Sequence, residues 1–235
     1  MKLNVALFFA GLFGALATFF ILLSFGTDYW LLATETCTTG NMLQDSAKGD
    51  PENSSIFYHE GFFWRCSFEG NMENDNMLKF WFTNQPRSKE CTHAYLSPFP
   101  VSDKTHNATT YDSAIIYRGF WSVFMLLGVA AVVLAGFFII CAAPFTSHCL
   151  YKTGGALYIL AGFFLILVIV LYVIWLHVMD VVGLYEDYKR NSCQNFQLNI
   201  SYGLSFMFAP VGVFFCLLAG LLFLLIARTV RIHYK

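Results

Sequence analysis

Four long stretches of this 235-residue chain contain no Asp, Glu, Lys or Arg. They occupy residues 3–27, 119–151, 153–179 and 191–227. Roughly 20 apolar residues cross the hydrocarbon core of a bilayer, so each stretch holds one crossing and none leaves room for two. Backbone groups in lipid must find partners within their own segment, which favours helices. We predict membrane-spanning helices at about 5–26, 117–141, 155–178 and 203–227.

The composition argues against a soluble helical core, because only 12% of the residues are charged against about 25% in a typical soluble domain. The first apolar stretch has one alternative interpretation, a cleaved signal peptide ending near Ser24-Phe-Gly26. Its apolar part exceeds the usual 7–15 residues, so we favour a retained span.

The segment between the first two spans, about 27–116, carries strand signals. Aromatic and β-prone residues, in places alternating apolar with polar, recur at 29–37, 56–68, 79–82 and 92–96. We therefore predict one domain over 1–235: an all-α membrane four-helix bundle with a small extracellular antiparallel sheet of three to five strands from this segment.

The charged residues predict the orientation. All 15 acidic residues fall in segments 27–116 and 179–202, whereas the loop at 142–154 and the tail at 228–235 carry only basic ones. Short loops rich in Lys and Arg remain in the cytoplasm. We expect both termini to be cytoplasmic, the two acidic segments to be extracellular loops, and the protein to lie in the plasma membrane.

Glycosylation sequons agree with this orientation. Asn53-Ser-Ser and Asn107-Ala-Thr both lie in the first predicted outer loop. A third, Asn199-Ile-Ser, is so close to the fourth span that its accessibility to the glycosylating enzyme stays open. We predict glycans at Asn53 and Asn107.

Four of the seven cysteines fall outside under this topology, which favours two disulfides in an oxidising compartment. Four cysteines allow three pairings, and the sequence does not choose among them. We prefer Cys66 with Cys91 inside the first loop, and Cys37 with Cys193 joining the two loops.

The other three cysteines lie in or beside the membrane. Cys141 and Cys149 flank the cytoplasmic end of the second span, where juxtamembrane cysteines accept palmitate. Palmitoylation and ordinary packing are equally good interpretations of both. Cys216, within the fourth span, is interpreted as a packing residue.

The residues argue against several classes of function. The four charge-free stretches contain no Asp, Glu, Lys or Arg, the groups that mark ion or proton paths within a bilayer. The histidines lack partners at metal-ligand spacing, and we predict no catalytic residue, cofactor, nucleic acid or small-molecule substrate. Aromatic residues near the outer span ends are candidates for an interfacial belt: Tyr29, Trp30, Trp121, Tyr172 and Trp175. For Trp30 we prefer a role in bracing the predicted sheet on the helix bundle.

The outer-loop residues resemble the claudin and peripheral-myelin-protein superfamily. Its pattern is a Trp, then Gly-Leu-Trp, then two paired cysteines, with an Arg entering the second span. The matching positions here are Trp30, Gly61, Trp64, Cys66, Cys91 and Arg118. The chain departs from claudins in the longer Gly61-Phe-Phe-Trp64 and in the 25 positions between its cysteines, where claudins have about ten.

Longer strings resemble one muscle branch of that superfamily. They include Tyr29-Trp-Leu-Leu-Ala-Thr-Glu35, Phe82-Thr-Asn-Gln-Pro86 and Tyr117-Arg-Gly-Phe-Trp121. The resemblance implies a non-enzymatic surface protein that restrains myoblast fusion and muscle differentiation through a lateral partner, integrin β1.

Two other functions stay open under the same resemblance: an auxiliary subunit of an ion channel, and a paracellular junction protein. The junction function is less favoured, because the tail Arg228-Thr-Val-Arg-Ile-His-Tyr-Lys235 lacks the hydrophobic last residue with which claudins dock to scaffold domains.

Overall fold

The computed structural model describes most of the chain, namely residues 3–37, 55–70, 89–94, 108–145, 147–177 and 181–233. The chain divides into two compact units. The helix unit comprises Met1–Thr27, Tyr117–Ile174 and Leu204–Lys235. The sheet unit comprises Asp28–Ile116 and Trp175–Gly203.

Four long helices are apolar enough to cross a membrane. They are α1 (Leu3–Gly26), α2 (Ala108–Phe145), α3 (His148–His177) and, after the shorter α4 (Val181–Arg190), α5 (Leu204–His233). Many of their large apolar side chains, such as Phe120, Phe137 and Phe214, are exposed in the isolated chain. This exposure suits a lipid environment, where the solvent is as apolar as the side chains.

Small residues let the helices approach closely. A Cβ atom added to Gly155 of α3 would lie 3.0 Å from the carbonyl oxygen of Gly220 in α5, and one added to Gly220 would lie 2.9 Å from that of Gly155. The two backbones therefore nearly touch at this crossing, as small residues permit in membrane bundles. On α1, the carbonyl oxygen of Gly14 accepts a hydrogen bond from the Tyr158 hydroxyl at 3.3 Å.

The described residues of the sheet unit form five antiparallel strands in the order β4-β3-β2-β1-β5. Their bounds are β1 (Leu31–Cys37), β2 (Ser55–Glu60), β3 (Trp64–Gly70), β4 (Glu90–His93) and β5 (Phe196–Tyr202). Four apolar helices with a small antiparallel sheet confirm the predicted fold class.

The origin of the strands differs from the prediction in one respect. We expected them all from the first predicted outer loop, but β5 comes from the second and pairs with β1 along its whole length. The same loop also forms α4. A seven-residue strand with polar Gln197 and Asn199 at alternate positions has a weak periodicity signal, and it depends on its pairing with β1.

The strand predicted over 56–68 is two strands. A three-residue turn at 61–63 separates β2 from β3, closed by a 2.9 Å bond from the Gly61 N–H to the Trp64 carbonyl. The alternation of apolar and polar side chains therefore does not continue unbroken through 56–68, because the turn interrupts it. The candidate at 92–96 corresponds to Glu90–His93 where it is described, and the candidate at 79–82 lies outside the described residues.

Candidate functional site

Two disulfides hold the sheet unit together. Cys66 in β3 is bonded to Cys91 in β4, and Cys37 at the end of β1 is bonded to Cys193 in the turn before β5. These are the two pairings preferred from the sequence. The second bond joins segments 156 positions apart in the chain, so α4 and β5 are covalently attached to the strands of the first segment.

The segment from Asp28 to Trp30 passes between two glycines. A Cβ atom on Gly61 would overlap the Cα atom of Asp28, and one on Gly203 would overlap the carbonyl oxygen of Tyr29. The Gly203 N–H also donates to the Trp30 carbonyl at 3.0 Å. Both positions need glycine because backbone, rather than a flexible side chain, lies where a side chain would begin.

Trp30 occupies the centre of this junction. Its N–H donates to the Glu60 carbonyl at 2.8 Å, and its side chain is only 1% exposed. The family-motif positions Trp30 and Gly61 thus meet in the structure, and their roles are structural. The sequence contained no comparable signal for Gly203.

One face of the sheet buries a carboxylate. Glu35 of β1 is 4% exposed, and its Oε1 atom accepts a 2.6 Å hydrogen bond from the Tyr185 hydroxyl of α4. Tyr58 of β2 also hydrogen-bonds to Glu35, and the Lys189 ammonium lies 3.7 Å from Oε2. A buried charge is tolerated only when paired and hydrogen-bonded, and Glu35 meets that condition.

The two phenols that contact Glu35 remain protonated. Burial, and then the nearby Glu35 carboxylate, raise the pKa of Tyr58 to about 12. Burial and the hydrogen bond to Glu35 likewise raise the pKa of Tyr185 well above its usual range. Both hydroxyls therefore act as permanent donors, and the cluster fastens α4 to β1.

A second buried carboxylate lies on the same face. Glu60 is 3% exposed and its Oε2 atom accepts a 2.9 Å hydrogen bond from Nε of Arg65, its cross-strand partner in β3. Arg65 is itself largely buried in this ion pair, with 14% of its side chain exposed. Both buried carboxylates thus have hydrogen-bond and ion-pair partners within the sheet unit.

The opposite face holds a buried histidine. Nδ1 of His59 lies 2.8 Å from the backbone carbonyl oxygen of Asp28 and donates to it, and the ring stacks on Tyr29 with centroids 4.6 Å apart. Burial lowers the pKa of His59 to about 4, against the raising effect of that hydrogen bond and with a further lowering by Lys89. His59 is therefore neutral at physiological pH.

We expect acid to destabilise the sheet unit through His59. Its pKa is about 4 in the folded state and about 6.5 when unfolded, so the unfolded chain binds the extra proton between these values. Stability should be complete above pH 6.5 and fall by about 3 kcal/mol as the pH approaches 4. Thermal unfolding of the sheet unit by near-ultraviolet circular dichroism at pH 7.5 and 4.5 measures this loss.

The matched variant is His59→Gln, which keeps a hydrogen-bond donor but does not titrate. Carboxylates such as Asp28 act equally in both proteins, so the difference between their pH profiles isolates His59. An equal loss of stability on acidification in His59→Gln would show that this histidine is not the cause.

An exposed aromatic patch, formed by Phe63, Trp64 and His93, lies where the turn at 61–63 meets β4. Phe63 and Trp64 are 37% and 40% exposed, and the Trp64 indole stacks on the exposed His93 ring with centroids 4.3 Å apart. The Ala94 N–H donates to the Phe63 carbonyl at 2.8 Å. The patch is therefore a surface feature supported by backbone hydrogen bonds and by the adjacent Cys66–Cys91 bond.

In the helix unit, Arg118 is 4% exposed. Its guanidinium lies 4.5 Å from the centroid of the Trp121 ring, a cation–π arrangement. Trp121 contacts Tyr172, which contacts Phe206, with ring centroids 5.7 and 5.6 Å apart. The sequence marked Arg118 as a motif position, and the structure adds its aromatic neighbours.

The predicted interfacial belt is wrong for most of its members, because a side chain buried in protein does not face lipid headgroups. Trp121, Tyr172 and Trp175 are each only 2–4% exposed.

Some of the predicted modification sites lie within the described residues and others do not. Asn53 and Asn107 lie outside the described residues, and Asn199 is exposed on β5. Cys149 is exposed in the first turn of α3 and Cys141 is half-buried near the end of α2. Among the described residues, no group of three His, Cys, Asp or Glu side chains is arranged to hold a metal ion.

Four apolar helices and a disulfide-bonded antiparallel sheet define a claudin-like, multi-pass membrane protein. Residues 15–225 match the family described as PMP-22/EMP/MP20/Claudin tight junction, and the chain belongs to that family, which confirms the resemblance. It is 60% identical to Transmembrane protein 182 of Danio rerio, with all of each chain covered. It is 55% identical to the proteins of the same name from Gallus gallus, with 99% of each chain covered, and Homo sapiens, with all of each covered.

Proposed function

We propose that this chain is a non-enzymatic protein of the plasma membrane that binds another membrane protein laterally through its sheet unit. The observation that carries the proposal is the aromatic patch. Phe63 and Trp64 expose more than a third of their surface beside a disulfide-bonded strand pair. Aromatic side chains on a rigid support dominate the binding energy of protein interfaces, because little conformational entropy is lost when they bind.

The buried ionic groups support the same proposal indirectly. Glu35 and Glu60 are each satisfied by neighbours in the sheet unit, and the neutral His59 is hydrogen-bonded to the backbone. Such groups stabilise a fold without presenting a reactive atom to a substrate. We therefore assign partner binding to the exposed surface of the sheet unit rather than to these buried groups.

The proposed partner is integrin β1, and the proposed role is to restrain myoblast fusion and muscle differentiation. This part of the proposal follows from the muscle branch that the outer-loop strings resemble. The four apolar helices support this part of the proposal, because two proteins that span the same bilayer can make a lateral contact.

The proposed orientation has both termini in the cytoplasm. Glycans on Asn53 and Asn107 and palmitate on Cys141 or Cys149 are proposed with it. We expect enzymatic deglycosylation of the protein from cells to increase its gel mobility by two steps. Asn53→Gln and Asn107→Gln should each remove one step, because each sequon lies in the acidic segment proposed to face outwards. Unchanged mobility in both variants would contradict the outward orientation of that segment.

The binding proposal is tested by replacing Trp64 with alanine. Co-purification of integrin β1 from muscle cells should fall about tenfold or more, because truncating a central aromatic anchor commonly costs 2 kcal/mol or more. Quantitative immunoblotting of integrin β1 against surface-labelled protein measures the change.

The matched control is Gln197→Ala. Gln197 is exposed on β5, at the other edge of the sheet from β4. The strand register places its side chain on the same face of the sheet as Trp64. Its replacement should leave co-purification unchanged. Equal recovery with Trp64→Ala and Gln197→Ala would contradict binding through the aromatic patch.

A further inference from the structure

The disulfide beside the aromatic patch differs in its setting from the other one. We propose that Cys66–Cys91 is a redox switch for the patch, opened by an extracellular dithiol before Cys37–Cys193 is reduced. The proposal rests on the proposed function, because it assigns a regulatory role to the same surface.

Cys66 and Cys91 directly face each other across the β3–β4 ladder. Cys66 is 3% exposed, whereas all four residues of β4, including Cys91, are exposed. Exposed disulfides are the more readily reduced and are typically labile or regulatory. We therefore expect an attacking thiolate to approach this bond at Cys91, its exposed end.

Neither residue of the Cys37–Cys193 bond is as exposed as Cys91. Both residues are half-buried, and Cys193 lies in a turn closed by hydrogen bonds. Its N–H donates to the Lys189 carbonyl at 2.9 Å, and its carbonyl accepts from the Phe196 N–H at 3.1 Å. This bond should require a higher concentration of reductant.

The exchange is complete with one dithiol of the thioredoxin class. Its thiolate attacks Sγ of Cys91, a mixed disulfide forms, and the Cys66 thiolate leaves and takes up a proton. The second thiol of the dithiol then gives up its proton and attacks the first sulfur of the dithiol, which is bonded to Cys91 in the mixed disulfide. Cys91 is released as a thiolate that takes up a proton, and the dithiol leaves as a disulfide.

Reduction removes the covalent support of an edge strand with only four residues. Among the described residues, β4 is then attached to β3 by a short ladder, by the 2.8 Å hydrogen bond between Ala94 and Phe63 and by the Trp64–His93 stack. So few paired residues are marginal on their own. His93 then no longer remains stacked on Trp64, and the aromatic patch loses its fixed geometry.

The order of reduction is measured on the full chain in lipid nanodiscs. Cys141, Cys149 and Cys216 are first blocked with N-ethylmaleimide. The protein is titrated with reduced thioredoxin, and new thiols are alkylated with a second reagent and quantified by peptide mass spectrometry. We expect Cys66 and Cys91 to be half-reduced at a thioredoxin concentration at least tenfold below that for Cys37 and Cys193. Equal concentrations, or the reverse order, would overturn the proposal.

The effect on binding is measured separately with a soluble integrin β1 heterodimer. Nanodisc protein, reduced to the point where only Cys66–Cys91 is open and then freed of thioredoxin, should capture at least fivefold less integrin than the oxidised protein. The Cys66→Ser/Cys91→Ser variant should show the same loss without any reductant.

The outcomes separate the switch from the proposed function. Undiminished capture by the reduced protein, together with weak capture by Trp64→Ala, would overturn the switch and leave the binding proposal intact. Undiminished capture by Trp64→Ala would overturn the binding proposal, whatever the order of reduction.

Discussion

Replacing Glu35 with alanine is expected to destabilise the sheet unit by about 3 kcal/mol. The substitution removes the carboxylate that accepts hydrogen bonds from the Tyr58 and Tyr185 hydroxyls, and a hydrogen bond to a charged group contributes about 1.5–3 kcal/mol. It also removes the carboxylate from the Lys189 ammonium, although that pair adds little because Lys189 is partly exposed. Chemical denaturation in detergent, followed by near-ultraviolet circular dichroism, measures the loss.

The control for Glu35 is another glutamate of the same unit. Glu186 of α4 pairs with the exposed Arg190 at 3.4 Å, and exposed pairs contribute little. Glu186→Ala should change stability by less than about 0.5 kcal/mol. Equal losses from the two substitutions would contradict the role assigned to the buried carboxylate.

Replacing Gly203 with alanine should have a comparable or larger effect. The new Cβ atom would overlap the Tyr29 carbonyl oxygen, and backbone cannot rotate aside as a side chain does. Overpacking commonly costs 1–3 kcal/mol, and here the hydrogen bond from Gly203 to Trp30 is displaced as well. We expect a total loss of about 3 kcal/mol or more, measured as a lower melting temperature of the purified protein and less protein at the cell surface.

Gly26 supplies the comparison for Gly203. It ends α1 and has open space where a Cβ atom would be added. Gly26→Ala should be neutral or slightly stabilising, because alanine favours helix more than glycine does. A melting temperature that is equally unaffected by Gly203→Ala would show that the close approach to Tyr29 is not required.

The helices could be predicted from the sequence because the signal is local. A stretch of 25 or more residues without charge leaves few alternatives to a membrane helix, whatever the rest of the chain does. The first-loop strands β1, β2 and β3 were also anticipated in outline, since aromatic and β-branched residues cluster there.

The features that could not be predicted from the sequence depend on contacts between distant parts of the chain. Acidic residues in strands are usually exposed, and the burial of Glu35 depends on partners distant in the chain, such as the Tyr185 hydroxyl 150 positions later. Gly203 similarly has no distinguishing local pattern, because its role is set by the Tyr29 backbone. Periodicity analysis cannot detect such pairings, which also include β5 with β1.

The central claim is that the aromatic patch contacts a membrane-protein partner from outside the cell. A photo-crosslinking amino acid introduced at Trp64, compared with one at Gln197, tests it in living muscle cells. We predict a covalent adduct with integrin β1 from position 64 and none from position 197. No adduct from position 64, or equal adducts from both positions, would contradict the account.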